Sequence, residues 1–178
     1  MTWTAPTTNV AGTTITASWG NTDVRDNTLE LRSTPFNRCS AYNSAVQTLT
    51  AGGASVALTF NSEEYDTAAM HSTSVATSKI TIPTGGGGTY LVCGRTQKNG
   101  VNGLLTLELR KNGSATLIRS TEANTSSVIS LVISDAIVVA AGDYLELWAY
   151  HSSNDADVGG STAATASRLT VIGPLPPS

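Results

Sequence analysis

The stretch from Gly85 to Lys111, GGGGTYLVCGRTQKNGVNGLLTLELRK, constrains the fold of this chain more than any other. In its first half Tyr90, Val92 and Gly94 alternate with Leu91, Cys93 and Arg95. In its second half Leu105, Leu107 and Leu109 alternate with Thr106, Glu108 and Arg110. Side chains project from a pleated strand to opposite faces in turn, so each run predicts a strand with one buried and one wetter face. Between them lie Asn99-Gly100 and Asn102-Gly103, and Asn112-Gly113 follows the second run. Asn and Gly tolerate the positive φ of tight hairpin turns, so the spacing predicts strand, hairpin, strand, turn.

Further strand-like runs follow the same logic. Val56, Leu58 and Phe60 alternate with Ala57 and Thr59, and Lys79 to Ile82 stops at Pro83. Ala115 to Ser120, Ser127 to Ile133 and Ile137 to Ala140 come next. Gly142-Asp143 then turns the chain into Tyr144 to Tyr150, where Leu145, Leu147 and Ala149 share a face, and Thr165 to Ile172 is the last run. Many short strands separated by turn signals predict an all-β sandwich or barrel. The segment from Phe36 to Ala51 gives no clear pattern, and Ala51-Gly52-Gly53-Ala54 reads as a linker. The expected division is therefore residues 1–52 as an N-terminal arm, 53–174 as the β domain and 175–178 as a tail.

Within the arm, Thr16 to Leu31 is the one candidate helix, with Thr16 as its N-cap. Gly20, Val24, Asn27, Thr28 and Leu31 share a face that is only weakly apolar, so such a helix needs a surface to lie on. Trp3 has no local periodic partner. Both readings of it stay open, as a plug for a pocket on a partner or as a side chain folded back on its own domain.

Composition excludes several functions. Charged residues make up 13% of the chain, against about 25% as a norm, and the net charge is −3. No basic patch suits nucleic acid, and no apolar run reaches the ~20 residues that span a bilayer. The N-terminus lacks the charged and apolar regions of a signal peptide. Cys39 and Cys93 are too few for a disulfide framework, and Cys93 reads as a small apolar strand residue. His71 and His151 have no metal-ligand spacing, and His151 reads as a rim residue at a strand end. Glu63, Glu64 and Asp66 read as a loop of solvated carboxylates. Asn154, Asp155 and Asp157 could ligate calcium through oxygens, but with two carboxylates and no EF-hand spacing the default reading is a solvated loop and both readings stay open. The Gly85–Gly88 run lacks the Lys-Ser/Thr and the helix of a phosphate loop. No catalytic residue, metal ligand or cofactor is assigned.

Four pieces in order, Gly88-Thr89-Tyr90, Leu109-Arg110-Lys111-Asn112-Gly113, Gly142-Asp143-Tyr144-Leu145-Glu146-Leu147 and Ser167-Arg168-Leu169, resemble the C1q/TNF-like jelly roll over Ser55 to Pro174. That resemblance implies a jelly-roll sandwich packed as a homotrimer. The chain departs from it in having no collagen-like repeat and a low aromatic share of 6%, so aromatics at a trimer core are not carried over. Trp3-Thr4-Ala5-Pro6, Val10-Ala11-Gly12, Thr16 and Arg25-Asp26-Asn27 with Leu29 resemble the leader of tailed-bacteriophage virion proteins. This second resemblance implies a virion structural protein, assembled in the host cytoplasm and exposed on the virion surface. On that reading Trp3, Trp19, Val24, Arg25, Leu29 and Leu31 anchor the arm to the major capsid protein or another virion protein. The expected role is a trimeric capsid decoration, or head fibre. The alternatives are a tail-fibre or receptor-binding tip that contacts a host glycan and, least supported by any motif, a glycan-cleaving enzyme.

Overall fold

The computed structural model describes residues 37–50, 53–99, 102–124, 128–152, 156–160, 162 and 165–175. Among them the chain is all-β. Its strands are β1 (Asn37–Tyr42), β2 (Gln47–Leu49), β3 (Val56–Ala57), β4 (Ser62–Asp66), β5 (Ile80–Thr81), β6 (Gly88–Asn99), β7 (Gly103–Lys111), β8 (Ala115–Asn124), β9 (Val128–Val139), β10 (Tyr144–His151), β11 (Ala156–Val158) and β12 (Arg168–Gly173). They form a seven-stranded sheet, β2-β11-β6-β12-β1-β4 with β9 along the other side of β6, and a five-stranded sheet, β3-β10-β7-β8 with β5 also on β10. Every pairing is antiparallel.

The alternation read from the sequence sets the interior. Tyr90 and Val92 of β6, Leu105, Leu107 and Leu109 of β7, and Leu145, Leu147 and Ala149 of β10 are all buried. Val171 and Leu169 of β12, Cys39 and Ala41 of β1, and Ile129, Leu131, Ile133, Ile137 and Val139 of β9 add to the core from the seven-stranded sheet. The two inner faces approach closely at Gly94, where a Cβ would lie 2.6 Å from Leu147 Cδ1. On β9 the inward alternation is interrupted by exposed Asp135, opposite Val92. An inward-pointing charge on a strand that pairs only with β6 discourages further strands from adding there.

Three sequence expectations change. First, β6 and β7 do not form a hairpin. They lie in different sheets, because their edges are taken by other strands: β6 pairs with β9, β12 and β11, and β7 with β10 and β8. The tight hairpin is instead β7–β8, where Asn112 and Gly113 take φ of 54° and 77° and the Ser114 N–H donates to Lys111 O at 3.3 Å. Second, the β domain starts before Gly53. β1 lies between β12 and β4, β2 pairs with β11, and the compact unit that holds the strands runs from Phe36. Third, the two runs expected on either side of residues 134–136 belong to one long strand, β9 (Val128–Val139). The expected helix from Thr16 to Leu31 lies outside the described residues.

The recurring sequence signals acquire a physical basis. Gly88 has a φ of 150° and its Cβ position lies 2.7 Å from Pro174, while the ring of Tyr90 lies 2.7 Å from the Cβ position of Gly173. The Tyr90 hydroxyl donates to Gly86 O at 2.6 Å. The Asn112-Gly113 and Gly142-Asp143 turns interlock: the Asn112 amide donates to Asp143 Oδ1 at 2.8 Å and accepts the Tyr144 N–H at 2.9 Å. Asp143 Oδ2 accepts the Ala140 N–H at 2.8 Å. The Asn112 hydrogen bond, then the Ala140 N–H, with nearby Lys111 contributing, hold the Asp143 carboxyl below its usual range.

Candidate functional site

The outward face of the seven-stranded sheet has two halves. Register places Leu91, Ala136 and Ile172 in one row across β9, β6 and β12, and Ser134, Cys93, Thr170 and Ser40 in the next. Val132 and Val138 flank these rows on β9. Leu91 is 48% exposed, Val132 60% and Val138 74%, an inversion of the usual placement of large aliphatic groups. Of the nine large apolar side chains exposed among the described residues, four (Leu91, Val128, Val132 and Val138) project from this β6–β9 half, so the exposure is clustered rather than scattered. The other half, over β1 and β4, is polar and engaged with itself. Arg168 pairs with Glu64, donates to Ser40 Oγ at 3.0 Å and lies 5.2 Å from the Tyr42 ring, while Arg38 lies 5.5 Å from the Tyr65 ring.

The outward face of the five-stranded sheet is different again. The sequence pattern placed Thr106 and Glu108 on a wetter face of β7, yet both are buried, Glu108 at 2% exposure. Arg110 Nε donates to Glu108 Oε2 at 2.8 Å, and Arg119 Nε, from the neighbouring β8, donates to Oε1 at 2.6 Å. Arg110 also lies 4.2 Å from the Trp148 ring. One strand over, Glu146 accepts from Ser78 Oγ at 2.9 Å and from Trp148 Nε1 at 3.2 Å. Each carboxylate is thus buried with donors on its oxygens, which is the condition for burying charge without heavy cost. Both Glu108 oxygens are occupied by guanidinium groups, an arrangement that holds strands together and leaves no lone oxygen to serve as a general base.

The remaining titratable groups sort by strand parity. Cys39 points inward from β1 and Cys93 outward from β6, so the two thiols face opposite sides of one sheet and both are free. Burial, reinforced by Asp66 and Glu63, pushes the Cys39 thiol up to about 12, which makes it an inert core residue. His151 is buried, not at a rim, because it continues the inward series Leu145, Leu147 and Ala149. Glu63, Glu64 and Asp66 belong to strand β4 rather than a solvated loop. Glu63 meets His71 Nδ1 at 2.8 Å, Asp66 accepts the N–H groups of Ala68 and His71, and Glu64 pairs with Arg168. His71, whose ring is enclosed between Glu63 and Thr77 O, gave no signal in the sequence beyond its residue type. Asp157 lies in β11 and accepts from Thr48 Oγ1 at 2.7 Å, while Asn154 and Asp155 fall outside the described residues. Among the described residues no group of three or more His, Cys, Asp and Glu is placed to hold a metal ion. The expected anchors Trp3, Trp19, Val24, Arg25, Leu29 and Leu31 also lie outside the described residues.

No protein-family model and no curated protein matches the sequence. Solved structures do match the fold. The globular domain of zebrafish complement 1qA protein aligns over 75% of this chain and 94% of its own length at 13% identity and a TM-score of 0.52. Eiger TNF from S. frugiperda aligns over 81% of this chain and 96% of its own at 13% identity, TM-score 0.54. Murine APRIL aligns over 78% of this chain and 99% of its own at 9% identity, TM-score 0.56. At these identities the likeness concerns architecture, and with the two antiparallel sheets it establishes that this chain folds as a C1q/TNF-like jelly-roll sandwich.

Proposed function

We propose that the chain is a non-enzymatic homotrimer that decorates a bacteriophage virion, its jelly rolls packed through the β6–β9 half of the seven-stranded sheet and its N-terminal segment docked on the major capsid protein or another virion protein. The observation that carries the trimer is the clustered exposure of Leu91, Val132 and Val138. Covering such a side chain fully is worth about 1.5–3 kcal/mol, and among the described residues the outward positions of β6, β9 and β12 carry no acidic side chain that would repel a second copy. The low charge of the chain leaves little else to keep that surface in water. Support for the virion is the Trp3–Leu31 leader. One aromatic anchor can dominate a small contact, and three copies in a trimer multiply a weak one through effective concentration.

Light scattering on the full chain tests the assembly. The expected mass is about three times the 18.4 kDa chain mass, and Leu91→Asp should yield folded monomers. A monomeric wild type sinks the trimer, and a Leu91→Asp protein that still assembles places the interface elsewhere. Cosedimentation with undecorated capsids tests the docking. The full chain should sediment with them and Trp3→Ala should do so less, without a change in Tm. Equal sedimentation of the two removes Trp3 from the contact.

A further inference from the structure

Opposite the proposed trimer face, the five-stranded sheet bears a cavity of about 340 Å³ lined by Ser55, Thr106, Glu108, Arg119, Thr121 and Tyr150, with Leu104 as its one aliphatic side chain. Its floor is built by register. Tyr150, Thr106 and Thr121 stand in one row across β10, β7 and β8, and Trp148, Glu108 and Arg119 in the next. The geometry points to a binding site for one residue of a neutral saccharide.

The lining chemistry selects this class over others. A cation would need carboxylate oxygens, and Glu108, the one carboxylate in the lining, has both oxygens on Arg110 and Arg119. An anion would need uncompensated positive charge. Arg119 is 60% exposed, but its Nε and one terminal nitrogen both lie on Glu108 Oε1, so the one cation of the lining is paired with the one carboxylate, and the second guanidinium on Glu108, Arg110, is outside the lining and lies over the Trp148 ring. What remains is hydroxyl chemistry. Thr106 Oγ1 and Thr121 Oγ1 share a single hydrogen bond at 3.1 Å. Each hydroxyl carries one donor and two acceptor lone pairs, so the pair keeps a donor and several acceptors for a ligand. Ser55 and the Tyr150 hydroxyl add donor–acceptor groups, and the Tyr150 ring adds an apolar surface. A ligand matched to this lining is uncharged, rich in hydroxyls and carries an apolar C–H face, which describes a pyranose. The volume lies at the small end of the range of about 300–1,000 Å³ for ligand pockets, which suits one sugar residue of a longer chain. Three such sites on a trimer would face outward together, so a weak single contact would gain from avidity.

The test is amide chemical-shift titration of the isotopically labelled full chain with D-glucose, D-galactose, N-acetyl-D-glucosamine, cellobiose and lactose, with D-galacturonate as the anionic comparator. At least one neutral sugar should give saturable shifts at Thr106, Thr121 and Tyr150. Those shifts should fall at least fivefold in Thr121→Val, whose exposed edge-strand position leaves the fold intact, and in Tyr150→Ala. No saturable shift with any neutral sugar, shifts that persist in Thr121→Val, or saturable binding of galacturonate alone would each overturn the assignment. The readout does not depend on oligomeric mass or capsid binding, so its failure is separate from failure of the trimer or of the virion docking.

Discussion

On the outward face of the seven-stranded sheet, Leu91, Val132 and Val138 stand in solvent, whereas on the outward face of the five-stranded sheet Glu108 and Glu146 are buried. Each face inverts the usual rule, and in opposite ways. The buried carboxylates are satisfied within the chain by Arg110, Arg119, Ser78 and Trp148. The exposed aliphatics have no cover among the described residues. One face is therefore finished when the chain folds, and the other is the one through which the proposed trimer would pack.

The sharpest way to break this contrast is within a single strand. Leu107 and Glu108 are neighbours on β7 that point to opposite faces, and both are almost fully buried. Leu107 is flanked across the sheet by Ala149 and Ser120, neither of which carries a positive charge. Leu107→Asp should therefore abolish the folded state, because an unpaired buried carboxylate costs several kcal/mol, comparable to the whole stability of a domain this size. A carboxylate one residue away is native. A Leu107→Asp protein that melts cooperatively near the wild-type Tm would show that the inward face of β7 has been misjudged.

A smaller effect separates the two faces directly. Glu108→Ala strips both guanidinium groups of their partner, and the loss of one member of a buried ion cluster costs about 3–5 kcal/mol. Arg119 is largely solvated and relaxes, so the lower end, about 3 kcal/mol, is expected in denaturant unfolding. Its mass in light scattering should stay that of wild type. Leu91→Asp should show the reverse pattern, with a change of mass and, per folded monomer, a stability shift within about 0.5 kcal/mol. If both variants change the same observable, the two faces do not divide folding from assembly.

The inward faces were legible in the sequence because alternation is a local property of the strand. Tyr90, Val92, Leu105, Leu107, Leu109, Leu145, Leu147 and Ala149 all sit where period two puts them. The same parity carried one residue further would have placed His151 in the interior. Pairing was not legible. Asn99-Gly100 and Asn102-Gly103 permit a tight turn but do not demand one, and whether the flanking strands lie side by side or across a sandwich depends on partners far along the chain. β1 escaped because its inward residues, Cys39 and Ala41, are small and give a weak apolar signal. That omission has a practical consequence, since a truncated form beginning at Gly53 would lose β1 from between β12 and β4. The burial of Glu108 was hidden for the same reason as the pairing. Arg119 is eleven residues away and meets it only through the β7–β8 register. The candidate cavity is likewise a product of register, drawing Ser55, Thr106, Thr121 and Tyr150 from separate parts of the chain.

The mildest perturbation concerns the turns that join the two faces. Asp143 clips the Gly142-Asp143 turn to Asn112 and Ala140, and its carboxyl is held below the ordinary range by those hydrogen bonds. A carboxyl that is harder to protonate when folded than when unfolded contributes stability that is fully present above the unfolded value of about 3.9. That contribution is lost as the pH falls through the lower folded value, so the relevant window opens at about pH 4 and extends downward. Asp143→Asn keeps the shape but cannot ionise, and its amide cannot match a carboxylate that accepts from both Asn112 and Ala140. Its Tm at neutral pH should be lower than wild type by less than that of Glu108→Ala, and the gap should narrow as the melts are repeated below about pH 4. Glu108→Ala and Leu91→Asp should not show this convergence through Asp143, because both retain it. A wild type and an Asp143→Asn protein whose melting temperatures run parallel down to acid would mean that the turn is held by the Asn112 contacts to the Tyr144 backbone alone.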